Sequence, residues 1–140
     1  MKKVRGKIVL IDDEKFEKEL LEKGLKKMNW NVRVEHINNP DVAYKYLKET
    51  TDEIFLIICD MQMPQTTGLQ LKRAIESDRV FRHKAIPFIL CSSSATIEEW
   101  KYVYEYSVQG FFEKPKDINA MVDLIDNILR YWSKALRPVI

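Results

Sequence analysis

The chain has 140 residues, 46% hydrophobic and 31% charged, with 23 basic and 21 acidic side chains and a formal charge of +2. That balance fits one globular domain burying roughly two-thirds of its unfolded surface, and it excludes a fibrous repeat, extensive disorder or a charge-driven nucleic-acid or membrane surface. No window approaches the roughly 18 apolar residues of a membrane span. The basic start, Met1 to Lys7, precedes a short apolar run, so no signal peptide is read and a cytoplasmic setting is expected.

Ile8-Val9-Leu10-Ile11 reads as a strand ending at Asp12-Asp13-Glu14. From there Phe16, Leu20, Leu21, Leu25 and Met28 recur at helical spacing through Lys27. Gly24 inside that helix costs about 1 kcal/mol relative to alanine, which points to close packing. Val32 to Ile37 reads as a more exposed strand at a sheet edge. Asn38-Asn39-Pro40 supplies a cap and a first-turn proline for a short helix with Val42, Ala43, Tyr46 and Leu47 on its buried stripe.

Ile54-Phe55-Leu56-Ile57-Ile58-Cys59 is an unbroken apolar run, the pattern of a strand covered on both faces, and it ends abruptly at Asp60. Met61 to Thr67 is a loop, and Gly68 to Ser77 a helix buried through Leu71, Ala74 and Ile75. After a polar, irregular stretch to Lys84, the strand Pro87 to Cys91 stops at Ser92-Ser93-Ser94. A helix from about Thr96 to Ser107 carries aromatics on more than one face: Val103, Trp100 and Ser107 are expected toward the sheet, with Tyr102 and Tyr106 exposed together. Gly110 to Glu113 is a short last strand running into Lys114-Pro115. The helix from about Asp117 to Trp132 buries Ile118, Met121, Val122, Ile125, Leu129 and Trp132, and residues 133–140 form a tail that frays or docks. Cys59 and Cys91 sit inside apolar runs and read as small buried hydrophobes of a reducing compartment.

Strand and helix thus alternate five times. Helices between strands force parallel pairing with right-handed crossovers, giving a doubly wound five-stranded α/β sheet in a single domain. In such a sheet all the strand ends share one edge, so Asp12, Asp13, Asp60, Ser92 and Lys114 converge there. Clustered carboxylates repel and raise one another's pKa unless a cation intervenes, and oxygen ligands with retained waters suit Mg²⁺. A carboxylate beside an ammonium and a hydroxyl can take a phosphoryl group as an acyl phosphate. His36 and His83 are read as surface residues outside this scheme. Asp12-Asp13 alone could be a helix cap; the convergence with Asp60 and Lys114 favours the cation site.

Ile8 to Asp13, Asp60-Met61-Gln62-Met63-Pro64 with Gly68, then Ser92, then Lys114-Pro115 closely resemble the receiver domain of two-component response regulators, over residues 7 to about 132 of a 1–140 single domain. The resemblance implies a flavodoxin-like (βα)5 fold with strand order 2-1-3-4-5. It implies that Asp60 accepts a phosphoryl group from a sensor histidine kinase or phosphotransfer protein, and that the chain catalyses its own phosphorylation and slow dephosphorylation. Asp13 and Asp60 would ligate Mg²⁺ with the backbone carbonyl of Gln62, and Asp12 would act mostly through water. Ser92 and Lys114 would bind phosphoryl oxygens, Lys114-Pro115 would be cis, and Phe111 would be the aromatic that turns inward when the Ser92 hydroxyl moves toward the phosphate. The Gln62 side chain would lie near the path of the attacking water.

The fourth helix, last strand and fifth helix would form the output surface for a downstream protein partner, with Tyr102 and Tyr106 on it; phosphorylation-promoted dimerisation through the fourth and fifth helices stays open. Two departures from the pattern are Ser93, where a small residue often alanine is usual, and Lys116, where phenylalanine is common. The main alternative is a receiver-fold binding module that works without phosphorylation. A haloacid-type phosphatase would need an aspartate general acid two residues after the nucleophile, where this chain has Gln62.

Overall fold

The computed structural model describes residues 1–137. Its centre is a five-stranded parallel sheet of β2 (Lys7–Ile11), β4 (Val34–Ile37), β5 (Ile54–Asp60), β6 (Phe88–Ser92) and β7 (Gly110–Glu113), in the spatial order β4-β2-β5-β6-β7. Numbered among these five alone, that is 2-1-3-4-5, the expected order. Every residue of β2, β5 and β6 is buried, as an unbroken apolar run demands, whereas β4 at the edge is only partly covered.

Helices cover both faces. One core layer joins Val9, Ile57 and Leu90 to Leu47 of α2 (Pro40–Glu49), to Leu71 and Ile75 of α3 (Gly68–Glu76) and to Phe81 of α4 (Arg79–His83). The opposite layer joins Ile8, Leu56 and Ile89 to Leu21 and Leu25 of α1 (Lys15–Lys27) and to Met121, Ile125 and Leu129 of α6 (Ile118–Lys134). Gly24 lies where α1 meets α6: an added Cβ would sit 3.0 Å from Met121 Cγ. Asn39 caps α2 by accepting from the amides of Asp41 and Val42.

Several elements differ from the sequence expectation. The chain start is ordered: β1 (Lys2–Lys3) pairs in parallel with β3 (Trp30–Asn31) as a separate two-stranded sheet, with Trp30 Nε1 donating to Asp126 at 2.9 Å. The polar stretch before β6 contains α4, capped by Asp78, which accepts from Phe81 N at 2.9 Å. α5 (Ile97–Tyr104) is shorter than expected, and only Val103 on it is buried; Trp100 and Ser107 face solvent. Val42 and Phe16 are also exposed, at 57% and 56%, because the buried stripes run through Ala43 and Leu47 and through Leu20, Leu21 and Gly24. Ile118, Val122 and Trp132 are half-buried; Ile128, not foreseen, belongs to the buried stripe of α6. The Lys114–Pro115 bond is trans rather than cis, no cis bond occurring among the described residues; trans is the more stable form of an X–Pro bond by roughly 0.5–1 kcal/mol. Residues 138–140 of the expected tail lie outside the described residues.

Candidate functional site

The sheet's carboxyl edge gathers what the sequence placed there. Asp12 follows β2, Asp60 ends β5, Ser92 ends β6 and Lys114 follows β7; Asp12, Asp60 and Ser92 are 2%, 4% and 0% exposed. Carboxylate oxygens of Asp12, Asp13 and Asp60 lie within 4.8 Å of one another. The Lys114 ammonium is 3.0 Å from Asp12 Oδ2 and 3.2 Å from Asp60 Oδ2. Asp60 Oδ1 accepts from the Gln62 amide at 3.2 Å, and Asp12 Oδ1 from the Glu14 amide at 2.9 Å.

Backbone geometry holds Asp60 in place. Its neighbour Met61 donates to the Cys91 carbonyl at 2.7 Å, and Gly68 returns to donate to Met61 O at 3.0 Å. That return requires glycine, because a Cβ on residue 68 would lie 2.4 Å from the Asp60 carbonyl oxygen. Thr67 and Gln70 then close a reciprocal capping box, so α3 starts directly behind the loop.

The electrostatics are unbalanced toward negative charge. Burial first, and the Asp12 charge second, raise the Asp60 carboxyl above its ordinary value, against the pull of Lys114. Burial likewise raises Asp12, opposed by the Glu14 amide and by Lys114. For Lys114, burial works against the charged form, but the hydrogen bond to Asp12 and the charges of Asp12, Asp60 and Glu17 outweigh it and hold the ammonium well above its usual range. Three carboxylates facing one ammonium, with Asp13 beside them, have the donor chemistry of a divalent-cation site. Asp12, Asp13 and Asp60 fit Mg²⁺ by number, charge and proximity. The thiols of Cys59 and Cys91 lie behind the site, and burial pushes Cys91 up to about 12, so neither is a nucleophile.

Sequence reasoning missed one member of the cluster. Glu17 on α1 is 8% exposed, with Oε1 3.8 Å from Lys114 Nζ, and burial raises its carboxyl. Its signal was present: Glu17 shares the helical phase of Leu20, Leu21 and Gly24, so a carboxylate stands on the buried stripe. His36 also lies closer than expected. It is half-buried, and its Nε2 is 2.8 Å from the Asp12 backbone oxygen, a contact in which the ring donates.

The hydroxyl side of the site is knit together. Ser92 Oγ accepts from Gln62 Nε2 at 2.6 Å and from the amides of Ser94 and Ala95 at 3.2 Å. Phe111 is 9% exposed, its ring packed against Tyr104 at 6.5 Å between centroids, and its amide donates to Tyr104 Oη at 3.1 Å. The ring therefore lies inward already. The aromatic surface differs from expectation. Tyr102 is 48% exposed, but Tyr106 lies past the end of α5 and off its helical face, and is half-buried against the core with the Arg73 guanidinium of α3 4.4 Å from its ring. Trp100 and Tyr104 of α5 and Phe112 of β7 are also exposed.

Residues 8–126 match the family model described as the response regulator receiver domain. The chain is 30% identical over 132 residues to the 3',5'-cyclic-nucleotide phosphodiesterase regA of Dictyostelium discoideum, covering 91% of this chain and 16% of that protein. It is 26% identical over 124 residues to the response regulator ArlR of Staphylococcus saprophyticus, covering 89% of this chain and 52% of that one. The chain thus spans about half or less of the length of these curated relatives. Among solved structures, the phosphorylated cyanobacterial phytochrome response regulator RcpA superposes with a TM-score of 0.83 at 22% identity, over 97% of this chain and 100% of that chain. The receiver domain of the sensor histidine kinase PA1611 from Pseudomonas aeruginosa, with magnesium in its active-site cleft, gives 0.73 at 17% identity over 94% of this chain and 100% of that one. At those identities the structural likeness establishes the fold.

Proposed function

Because the chain belongs to the response regulator receiver domain family, whose members accept phosphoryl groups from histidine kinases or phosphotransfer proteins, we propose that Asp60 is the phosphoryl acceptor of a two-component relay. The observation that carries this reading is the position of Asp60: it ends a fully buried strand, shares Lys114 with Asp12, and lies within 4.8 Å of two further carboxylates.

An Asp60 carboxylate oxygen attacks the phosphorus of a phosphohistidine; the P–N bond breaks, the P–O bond of an acyl phosphate forms, and the imidazole leaves with its electron pair. Asp12, Asp13, Asp60 and the Gln62 carbonyl would hold Mg²⁺, which when bound supplies positive charge against the phosphoryl oxygens. Lys114 exchanges its contact with Asp60 Oδ2 for a phosphoryl oxygen, which it can do without leaving Asp12. Ser92 donates its hydroxyl hydrogen to another phosphoryl oxygen. With the Phe111 ring already buried, the response passes through release of Ser92 from Gln62 and through the adjoining α5, toward its exposed aromatics Trp100, Tyr102 and Tyr104, where a downstream protein partner docks.

Incubation with Mg²⁺ and a radiolabelled small phosphodonor tests the assignment. Wild type takes up acid-stable, base-labile label and Asp60→Asn takes up none; label retained by the variant overturns the reading.

A further inference from the structure

Two helices in this chain start with the same signature and finish it differently. At the start of α3, Thr67 accepts from Gln70 N at 3.1 Å and the Gln70 side chain returns to accept from Thr67 N at 2.8 Å. At the start of α5, Thr96 accepts from Glu99 N at 3.2 Å, which is the first half of the same box. The Glu99 carboxylate makes its contacts elsewhere. Its Oε2 accepts from Ser94 Oγ at 3.1 Å and lies 3.4 Å from Gln62 Nε2, while its Oε1 is buried with no hydrogen-bond partner. A carboxylate turned from its helix cap toward a neighbouring loop, with one oxygen unsatisfied, is held there by the loop contacts.

Those contacts fix the Gln62 amide at both ends. Nε2 faces Ser92 Oγ at 2.6 Å, Ser94 Oγ at 3.1 Å and Glu99 Oε2, so its two hydrogens are shared among three acceptors. Oε1 accepts from the amide and hydroxyl of Ser93, at 3.2 and 3.4 Å. The flipped amide would face the Glu99 carboxylate with its oxygen, so the orientation is determined. Ser94 donates to Glu99 and accepts from Gln62, leaving the Ser92 hydrogen directed at Ser94 Oγ, 3.1 Å away, and free to turn to a phosphoryl oxygen.

We propose that Glu99 is a positioning residue for loss of the Asp60 phosphoryl group: with Ser94 it clasps the Gln62 amide beside the site and keeps that amide from orienting the attacking water. The inference rests on Asp60 being the acceptor. In the step it governs, a water oxygen attacks phosphorus, the P–O bond to Asp60 breaks, and the products are inorganic phosphate and the free carboxylate, with the water proton passing to phosphate or solvent. Clasped, the amide has both ends occupied; released, it is free to bond that water.

The test is the decay of label from phosphorylated wild type, Glu99→Ala, Glu99→Gln, Gln62→Ala and the Gln62→Ala/Glu99→Ala double variant. Glu99→Ala shortens the lifetime by about threefold to tenfold, the scale of one hydrogen bond in a barrier. Glu99→Gln stays near wild type, because its amide oxygen still accepts from Ser94 and Gln62. The double variant decays at the rate of Gln62→Ala alone, an epistasis that weakening of the α5 cap does not produce. An unchanged lifetime in Glu99→Ala, or an equal acceleration with and without Gln62, overturns the inference while leaving Asp60 as acceptor. Wild type that takes up no label overturns both readings.

Discussion

Two buried lysines lie at opposite edges of the same sheet, each facing carboxylates, and their surroundings differ in one respect. Lys7, at the amino edge, is 8% exposed in its side chain and bonds Glu35 at 3.0 Å and Asp52 at 2.9 Å; those partners are 43% and 58% exposed. Lys114, at the carboxyl edge, is 12% exposed and faces Asp12, Asp60 and Glu17, whose side chains are 3%, 4% and 10% exposed. Water solvates the acids of the first cluster and scarcely reaches those of the second. Accordingly the hydrogen bond from Lys7 lowers the Asp52 carboxyl, whereas burial raises Asp12, Asp60 and Glu17. The same residue types make a satisfied tie at one edge and an uncompensated, cation-seeking cluster at the other.

Removing each ammonium should break that comparison most strongly. Lys114→Met leaves three buried carboxylates without their cation, and loss of one partner of a buried ionic group costs about 3 kcal/mol or more. Lys7→Met leaves acids that water can take over, at about 1 kcal/mol, the scale of an exposed pair. Urea denaturation in EDTA at pH 7 measures both. Equal losses would show that burial of the acids does not distinguish the two edges.

Metal and pH act next, the metal at the carboxyl edge alone and pH with opposite signs at the two edges. At 100 times its Kd, Mg²⁺ stabilises the wild type by about 2.7 kcal/mol, and Asp60→Asn should gain less. In EDTA the raised carboxyls of Asp12, Asp60 and Glu17 bind protons more tightly in the folded than in the unfolded chain. Their contribution is therefore present below the ordinary values of 3.8 and 4.5 and is lost as pH rises through the raised folded values. Asp52, lowered by Lys7, contributes above 3.8 and loses that contribution as pH falls through its folded value. Between pH 4 and 7 in EDTA, Asp60→Asn should therefore flatten a decline in stability, and below pH 4 Asp52→Asn should flatten the loss that acid brings. The reverse pattern in denaturation midpoints would contradict the charge assignment.

The fold and the centre of the site were legible because both rest on strong local signals. An unbroken apolar run from Ile54 to Cys59 has few alternatives to a doubly covered strand, and parallel topology brings Asp12, Asp60, Ser92 and Lys114 together wherever their loops lie. What escaped were features set by tertiary context. β1 and β3 are two residues each, too short for any period, and exist because Trp30 and Lys2 meet Asp126 of α6. α4 buries only Phe81, so its five residues carry no stripe. The aromatics of α5 misled because an eight-residue helix with one buried residue leaves nearly all its side chains in solvent. Glu99 has the sequence position of a cap, and only the proximity of the Gln62 loop redirects it.

Glu17 gives a small effect that again separates the two edges by sign. Glu17→Gln keeps the shape of a side chain 10% exposed and removes one negative charge from beside Asp12 and Asp60. Lys114 retains two nearer partners, at 3.0 and 3.2 Å, so the lost attraction at 3.8 Å is outweighed by relief of burial and repulsion. In EDTA at pH 7 the variant should be more stable by about 0.5–1 kcal/mol. The matching change at the other edge, Glu35→Gln, removes a 3.0 Å partner of Lys7 whose charge water already solvates, and should destabilise by about 0.5 kcal/mol. Saturating Mg²⁺ supplies the missing positive charge at the carboxyl edge alone, so it should shrink the Glu17→Gln gain and leave the Glu35→Gln loss unchanged. A Glu17→Gln variant that loses stability in EDTA would make Glu17 a structural partner of Lys114 like Glu35 of Lys7, and the two edges would then differ in exposure without differing in charge balance.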